Sequence, residues 1–338
     1  MANLSAKSPL GHPHTPYLHV TASQEIPEAT RNCVLAIGNF DGVHRGHQAV
    51  LQMLLDHAEA ANVPAFALTF EPHPRTLFKP DSPIFRLTGE TEKARLFGAV
   101  GLAGDIVRGF TREFASQSAD AFVEDVLLAE IAPRHVVIGY DFHFGRNRQG
   151  SPDFLVERSR RDGFGVTVVE AYGDEAGDAV SSSQIRSHLE NGEVAEAAGL
   201  LGYRWFATGP VIHGEKRGRN LGYPTANMQL APDCGLAHGV YAVRMEVDGA
   251  RYDGVGSYGR RPMFDNGAPL FETHLFDFSG DLYGKHVTVA VFGRLREEMA
   301  FDSVDGLIAQ MDRDSAEARA LLSGVAPLSP IDSTVNFA

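Results

Sequence analysis

Up to Gly202 the chain alternates short apolar runs with longer stretches in which apolar residues recur every three or four positions. Val34-Leu35-Ala36-Ile37 is uniformly apolar, as expected of a strand covered on both faces. Behind it Val50, Leu51, Leu54 and Leu55 recur at helical spacing and predict a helix over 48–61. Further strands are expected at 65–70, 105–107, 135–139 and 166–169. Helices are expected at 90–100 behind a Thr88 cap, at 119–131 behind Ser118, and from Ser151-Pro152-Asp153, with Ser as cap and Pro in the first turn. Strands separated by helices imply right-handed crossovers and a mainly parallel sheet. Ligands of such sheets bind beyond the carboxyl ends of the strands.

After Gly202 helical periodicity gives way to short alternating runs bounded by turn residues. Tyr241–Val247 has period two and is followed by Asp248-Gly249, a strong hairpin signal. Strands are expected again at 251–257, 270–278 and 286–292, which together read as a small antiparallel barrel. A closing helix over 304–322 with Ser303 as cap completes it, and the Ala-rich segment before Gly202 reads as a helical connector.

Composition adds bounds. With 338 residues, 43% of them hydrophobic and 22% charged, the chain is long enough for two ordinary globular domains. The net charge of −13 argues against a nucleic-acid or anionic-membrane partner. The two cysteines, Cys33 and Cys234, make no disulfide framework. No apolar run is long enough to cross a bilayer, no signal-peptide pattern opens the chain, and a cytoplasmic location is expected. Residues 1–30, with Pro9, Gly11, Pro13 and Pro16, read as a poorly ordered extension in which His12, His14 and His19 are solvated.

The strongest chemical signal is Gly38-Asn39-Phe40-Asp41-Gly42-Val43-His44-Arg45-Gly46-His47. It places two histidines in a strand–turn–helix unit, at a helix N-terminus that favours anions. Imidazoles there can donate to a triphosphate and stabilise charge that develops in nucleotidyl transfer. The spacing is similar to the signature of the nucleotidylyltransferase superfamily. Half of a zinc site would need further ligands, and no cysteine lies nearby. A pair of satisfied surface histidines is the other bland reading; the strand end and the three glycines weigh against it.

A second signal runs from His213 to Asn227. It is rich in glycine and cations but lacks the lysine–hydroxyl ending of a P-loop. Alone it could equally be a glycine-rich surface turn. Thr225 and Asn227 are uncharged oxygen donors two apart on extended chain, which suits Mg²⁺. Glu272, within Leu270-Phe271-Glu272-Thr273-His274-Leu275-Phe276, is a carboxylate among apolar neighbours. Such a group is paired or used: it is either a base for an attacking hydroxyl or half of a structural pair with an arginine.

These features together resemble the bifunctional riboflavin kinase/FAD synthetase family of prokaryotes over about residues 31–325. In the amino half the resemblance rests on Gly38–His47, Thr69-Phe70-Glu71-Pro72-His73-Pro74, Gly139-Tyr140-Asp141-Phe142-His143-Phe144-Gly145, and Ser181–Arg186, a hydroxyl-rich turn with a trailing arginine. In the carboxyl half it rests on Gly218–Asn227, Gly239-Val240-Tyr241-Ala242, Glu272–Gly284, and Arg296-Glu297-Glu298 with Phe301. The chain departs from the family pattern at Ser257 and Met263, where Asn and Thr are common, and Met263 lacks the hydroxyl. The Ser-Ser-Thr turn reads Ser181-Ser182-Ser183, which keeps every hydroxyl.

The resemblance implies a Rossmann-like α/β adenylyltransferase domain with a parallel sheet over 31–188, a connector over 189–202, a riboflavin kinase β-barrel with a closing helix over 203–325, and a tail over 326–338. It implies that riboflavin is phosphorylated by ATP to FMN, and FMN adenylylated by a second ATP to FAD. Riboflavin, FMN and ATP are then the partners, Mg²⁺ the cofactor, and FMN and FAD the products. His44 and His47 would act on the ATP phosphates of the adenylyl reaction. Gly38, Asn39, Asp41, Gly46 and Asp141 would hold that nucleotide, with Ser182 and Arg186 at its pyrophosphate end. Phe70, Pro72 and Pro74 would line the flavin side. In the kinase, Glu272 would be the base, Thr225 and Asn227 would hold Mg²⁺, and Gly214, Lys216, Gly218 and Arg219 would cover ATP. The rival readings are an adenylyltransferase for another phosphorylated cofactor precursor and a flavin-binding regulator without catalysis.

Overall fold

The computed structural model describes residues 16–173, 177, 179–213, 223–260 and 269–338. Two compact units emerge, Met1–Ile84 with Thr88–Ser181, and Phe85–Leu87 with Ser182–Ala338.

The first unit is built on a wholly parallel sheet of β1 (Leu18–Val20), β2 (Val34–Ile37), β3 (Ala65–Glu71), β4 (Gly104–Gly109), β5 (His135–Gly139) and β6 (Gly165–Val169). Their order is β1-β4-β3-β2-β5-β6. Chain order therefore runs one way through β3 and β4 and the other way through β5 and β6. The reversal lies between β2 and β5, where open sheets of this kind form a ligand crevice at their carboxyl ends. The central strands are buried on both faces, Val34, Leu35 and Ala36 completely, which explains their unbroken apolar sequence.

Helix α1 (Arg45–Ala61) packs Val50, Leu51, Leu54 and Ala58 inward and ends at Asn62 in the left-handed conformation. It begins three residues before the expected start, so His47 belongs to its first turn. The helices that follow are α2 (Pro74–Phe78), α3 (Glu90–Val100), α4 (Arg112–Ser116), α5 (Ala119–Ala121), continued by a wider π-type segment over Phe122–Ile131, and α6 (Pro152–Asp162). Ser118 and Ser151 cap α5 and α6 as the sequence suggests. Thr88 does not cap α3; Gly89 holds that position, and the Thr88 hydroxyl serves the histidine loop instead.

The first-thirty expectation is corrected at its described end. Leu18–Val20 form the edge strand β1, paired with β4. Tyr17 Oη donates to Asp105 Oδ1 at 2.6 Å, and His19 lies 2.9 Å from the same oxygen and 3.1 Å from Glu90 Oε1. A buried Asp105 needs such partners, and they hold the segment down. His19 is therefore half-buried and paired rather than free in solvent, while His12 and His14 lie outside the described residues.

In the second unit α7 (Ser182–Asn191) and α8 (Val194–Leu201) precede a closed barrel. The expected hydroxyl-rich turn at 181–186 is the opening of α7, and the expected connector is two helices broken at Gly192, which has φ 81°. The barrel strands are β7 (Phe206–Ile212), β8 (Ala226–Gln229), β9 (Gly239–Val247), β10 (Ala250–Arg260), β11 (Pro269–Leu275) and β12 (His286–Arg296), in the order β10-β11-β8-β7-β12-β9. Asp248 and Gly249, with φ 51° and 76°, make the tight β9–β10 hairpin. Tyr241, Tyr258 and Phe271 fill the interior. Helix α9 (Val304–Ser323), capped by Ser303, follows the barrel.

The last residues, read from the sequence as a tail, are tied to the barrel's first strand region. In α10 (Pro330–Asp332), Asp332 is fully buried and accepts from the Arg204 backbone N–H, its guanidinium, the Leu328 N–H and Asn336 Nδ2. Arg204 also lies over the rings of Phe292 and Phe337. A buried charge network of this kind fixes the segment because removing either partner strands the other.

Candidate functional site

The residues Gly38–His47 emerge from β2 at the sheet's reversal point. Their backbone is strained: Phe40, Gly42 and Val43 have φ of 48°, 85° and 37°. For a β-branched Val that conformation is costly and persists only where the surroundings impose it. Gly42 N–H donates to Thr88 Oγ1 at 2.9 Å, Thr88 N–H donates to Asp41 Oδ1 at 3.1 Å, Gln48 Nε2 donates to Val43 O at 2.8 Å, and Thr69 Oγ1 donates to Asn39 O at 3.3 Å. Asp41 is thus a buried brace of the loop, whereas Asn39 is exposed.

His44 is the N-cap of α1, its Nδ1 accepting the His47 N–H at 3.4 Å. The two imidazoles stack with centroids 3.7 Å apart, and Phe40 meets His47 by its edge. A side chain at Gly46 would press on the His44 ring at 3.1 Å, so the small residue lets the pair form. Burial, then electrostatic coupling to the His44 ring and to the Lys93 ammonium, push the His47 pKa well below the ordinary imidazole value. His47 Nδ1 is buried without a hydrogen-bond partner. The site therefore presents a neutral imidazole with an unused polar atom at a helix N-terminus.

Next to the loop, at the end of β5, Asp141 is exposed, with its Oδ1 3.3 Å from where a Gly139 Cβ would stand. On the other side, β3 ends in Glu71-Pro72-His73-Pro74. His73 caps the short α2 and Pro74 is its first residue. Pro72 is exposed and Pro74 half-buried, but Phe70 is buried against Phe110 and Phe114. Ser182 and Arg186 fall in the second unit. There Arg186, buried, donates from Nε to Phe85 O at 2.6 Å.

Sequence reading missed three members of this site: Lys93, Thr69 as a tether and Thr88 as a brace. Lys93 is 3% exposed and donates to Glu71 Oε1 at 2.7 Å and Thr69 Oγ1 at 3.2 Å. Its signal was present. Lys93 shares a helical face with Leu96 and Phe97, which marks it as a buried cation in need of a partner.

In the barrel, Ser257, Glu272 and Asn227 stand directly opposite one another across β10, β11 and β8. Side chains in such a row share one face of the sheet. Asn227 is buried, with Nδ2 3.5 Å from Thr225 O and Oδ1 buried without a partner; Glu272 and Thr225 are half-buried. The segment before Thr225 is pinned on both sides. His274 Nδ1 meets Pro224 O at 3.0 Å, and Tyr223 Oη donates to Asp312 of α9, which with burial pushes the tyrosine pKa up to about 12. Gly214, Lys216, Gly218, Arg219 and Met263 lie outside the described residues.

Comparison with known families and proteins agrees with both halves. The FAD synthetase family profile matches residues 26–184 and the riboflavin kinase profile residues 201–322. Bifunctional riboflavin kinase/FMN adenylyltransferases from Pseudomonas fluorescens and Escherichia coli K12 are 40% and 38% identical, over 86% and 85% of this chain and 93% and 92% of their own. A solved structure described as a macrolide-efflux protein from Streptococcus pneumoniae superposes with a TM-score of 0.77 at 30% identity, over 90% of this chain and 98% of that one. Among the described residues no helix is long and apolar enough to cross a membrane.

Proposed function

Since the chain belongs to the bifunctional riboflavin kinase/FMN adenylyltransferase family, we propose that its two units divide the two reactions, adenylyl transfer in the first and riboflavin phosphorylation in the second. The enzyme converts riboflavin and ATP to FMN, and FMN and ATP to FAD. The observation that carries the assignment is the stacked His44–His47 pair at the N-terminus of α1, on the sheet's reversal point.

In adenylyl transfer an FMN phosphate oxygen attacks the α-phosphorus of ATP and pyrophosphate leaves. The nucleophile comes with the substrate, so the protein orients the two phosphates and stabilises the charge that develops between them. His47, held neutral, donates one ring N–H without adding a charge that would have to be desolvated. His44 and the first N–H groups of α1 face the same anion. Gly38, Asn39 and Gly46 let the backbone approach, and Asp141 lies at the neighbouring strand end, suited to the nucleotide's hydroxyls. Pro72 and Pro74 form the flavin side, with Phe70 as its floor.

In phosphorylation the riboflavin ribityl hydroxyl attacks the γ-phosphorus of the second ATP. Glu272 accepts the hydroxyl proton. The unpartnered Oδ1 of Asn227, with Thr225 two residues before it, fits a hard cation that prefers oxygen. These two would hold Mg²⁺, which when bound supplies positive charge to the ATP phosphates. Gly214, Lys216, Gly218 and Arg219, outside the described residues, are the ones the family resemblance assigns to that nucleotide.

The test is product analysis. With riboflavin, ATP and Mg²⁺, chromatography should show FMN rising first and FAD following with pyrophosphate. With FMN and ATP, FAD should form directly. A chain that forms FAD from FMN but leaves riboflavin unchanged is a single-activity adenylyltransferase, and one that forms neither is a binder.

A further inference from the structure

Lys93 is the one strongly buried lysine of the first unit's described core, and burying an ammonium is costly unless it is paired and hydrogen-bonded. It sits on α3, outside the histidine loop and outside the strand-end turn, yet it reaches both, the turn directly through Glu71 and the loop through Thr69. One of its hydrogen bonds goes to the Glu71 carboxylate, on the residue that opens the turn to Pro72 and Pro74. The other goes to Thr69 Oγ1, and that hydroxyl donates onward to Asn39 O in the histidine loop. A continuous relay thus runs from Glu71 through Lys93 and Thr69 to Asn39.

We propose that Lys93 is a positioning residue for adenylyl transfer, fastening the end of β3 to the histidine loop and keeping a fixed positive charge beside His47. The inference rests on the reading of His47 as a phosphate-facing group. Lys93 itself, 3% exposed, acts through its neighbours rather than on substrate. The groups that bear electrostatically on His47 are the stacked His44 and the Lys93 ammonium, while Phe40 contributes only a ring edge. Both disfavour a second proton on His47. The imidazole therefore stays a neutral donor over the pH range in which free histidine titrates. The fixed charge also adds favourable potential for a polyphosphate without an exposed cation that water would screen.

The obvious variant, Lys93→Met, takes the ammonium away from the half-buried Glu71 carboxylate, so it is paired with the double variant Lys93→Met/Glu71→Gln, which removes both charges. Each is compared with wild type in the full chain. The readouts are FAD formation from FMN and ATP, riboflavin phosphorylation as a control for folding, and the His47 ring titration by NMR. Loss of correct orientation costs up to about 100-fold. We expect FAD formation to fall by about 10- to 100-fold in both variants, riboflavin phosphorylation to persist, and His47 to titrate at higher pH in both. A merely structural pair behaves differently: the double variant would regain FAD formation and His47 would titrate as in wild type. That result overturns the inference. A wild-type chain that makes no FAD would overturn the underlying reading instead, whereas an active wild type with an unmoved His47 in Lys93→Met overturns this step alone.

Discussion

A neutral imidazole and an imidazolium do different work against a phosphate, and the surroundings of His47 select the neutral one. Burial, then coupling to His44 and the Lys93 charge, lower its pKa, so the folded state binds fewer protons there than the unfolded chain. Its contribution to stability is present above the ordinary imidazole pKa and is lost as pH falls below it. His47→Ala removes a donor aimed at developing charge, and such losses cost about 10²–10³ in rate. Steady-state assays should show FAD formation reduced by that factor with riboflavin phosphorylation nearly unchanged; equal losses in both would mean a folding defect. Glu272→Gln is the matching change in the barrel. It keeps volume and hydrogen bonding but cannot take a proton, so FMN formation should fall by about 10² or more while FAD formation from supplied FMN continues. If the variant melts earlier yet keeps most of its kinase turnover, Glu272 is structural. Both side chains were legible in the sequence because their spacing or their apolar setting was anomalous. Lys93 was not singled out, since its meaning depends on Glu71 and Thr69 of another element, and only the packing of α3 on β3 brings the three together.

Among elements, the parallel strands and the β9–β10 hairpin were readable because an unbroken apolar run or an Asp-Gly turn has one main structural outcome. The edge strand β1 and the closing α10 were not. Three residues among prolines carry too little periodicity, and both segments are held by single buried carboxylates, Asp105 and Asp332, whose partners are far away in sequence. The case of β1 yields a test. Burial alone would lower the His19 pKa, but hydrogen bonding and charge from Asp105, together with Glu90, raise it above the ordinary value. For a raised pKa the stabilisation is fully present below the unfolded value and is lost as pH rises through the folded one. Hydrogen–deuterium exchange, corrected for intrinsic rates, should therefore show protection of Leu18–Val20 decreasing as pH rises above the usual imidazole range. In His19→Ala that dependence should vanish and protection should be low throughout. A wild-type profile independent of pH would mean that Tyr17 and the backbone pairing alone hold the strand.

For the whole molecule, the change of texture at Gly202 located the start of the barrel but not the limits of the unit that contains it. That unit also takes in Phe85–Leu87 and the helices α7 and α8. Two of its buried donors depend on those pieces: Arg186 Nε on Phe85 O, and Trp205 Nε1 on Leu87 O at 2.8 Å. A pattern of apolar positions cannot announce three residues borrowed from the other half of the chain, because their role lies in two carbonyl oxygens and in the Phe85 ring that meets Trp205 by its edge. The consequence is measurable with two fragments, one beginning at residue 182 and one at residue 203. Both retain β7–β12, α9 and the Arg204–Asp332 network, so both should phosphorylate riboflavin and make no FAD. Each leaves the Trp205 indole N–H without its acceptor, a loss of about 1–3 kcal/mol for a buried donor. The shorter fragment also loses α7 and α8, uncovering apolar surface that Ala197, Ala198 and Leu201 bury in the full chain. Thermal melting should accordingly place the fragment from 203 below the fragment from 182, and both below the full chain. A folded fragment from 203 that binds riboflavin but forms no FMN would show that phosphorylation needs residues outside the barrel, and the division of reactions between the units would have to be redrawn.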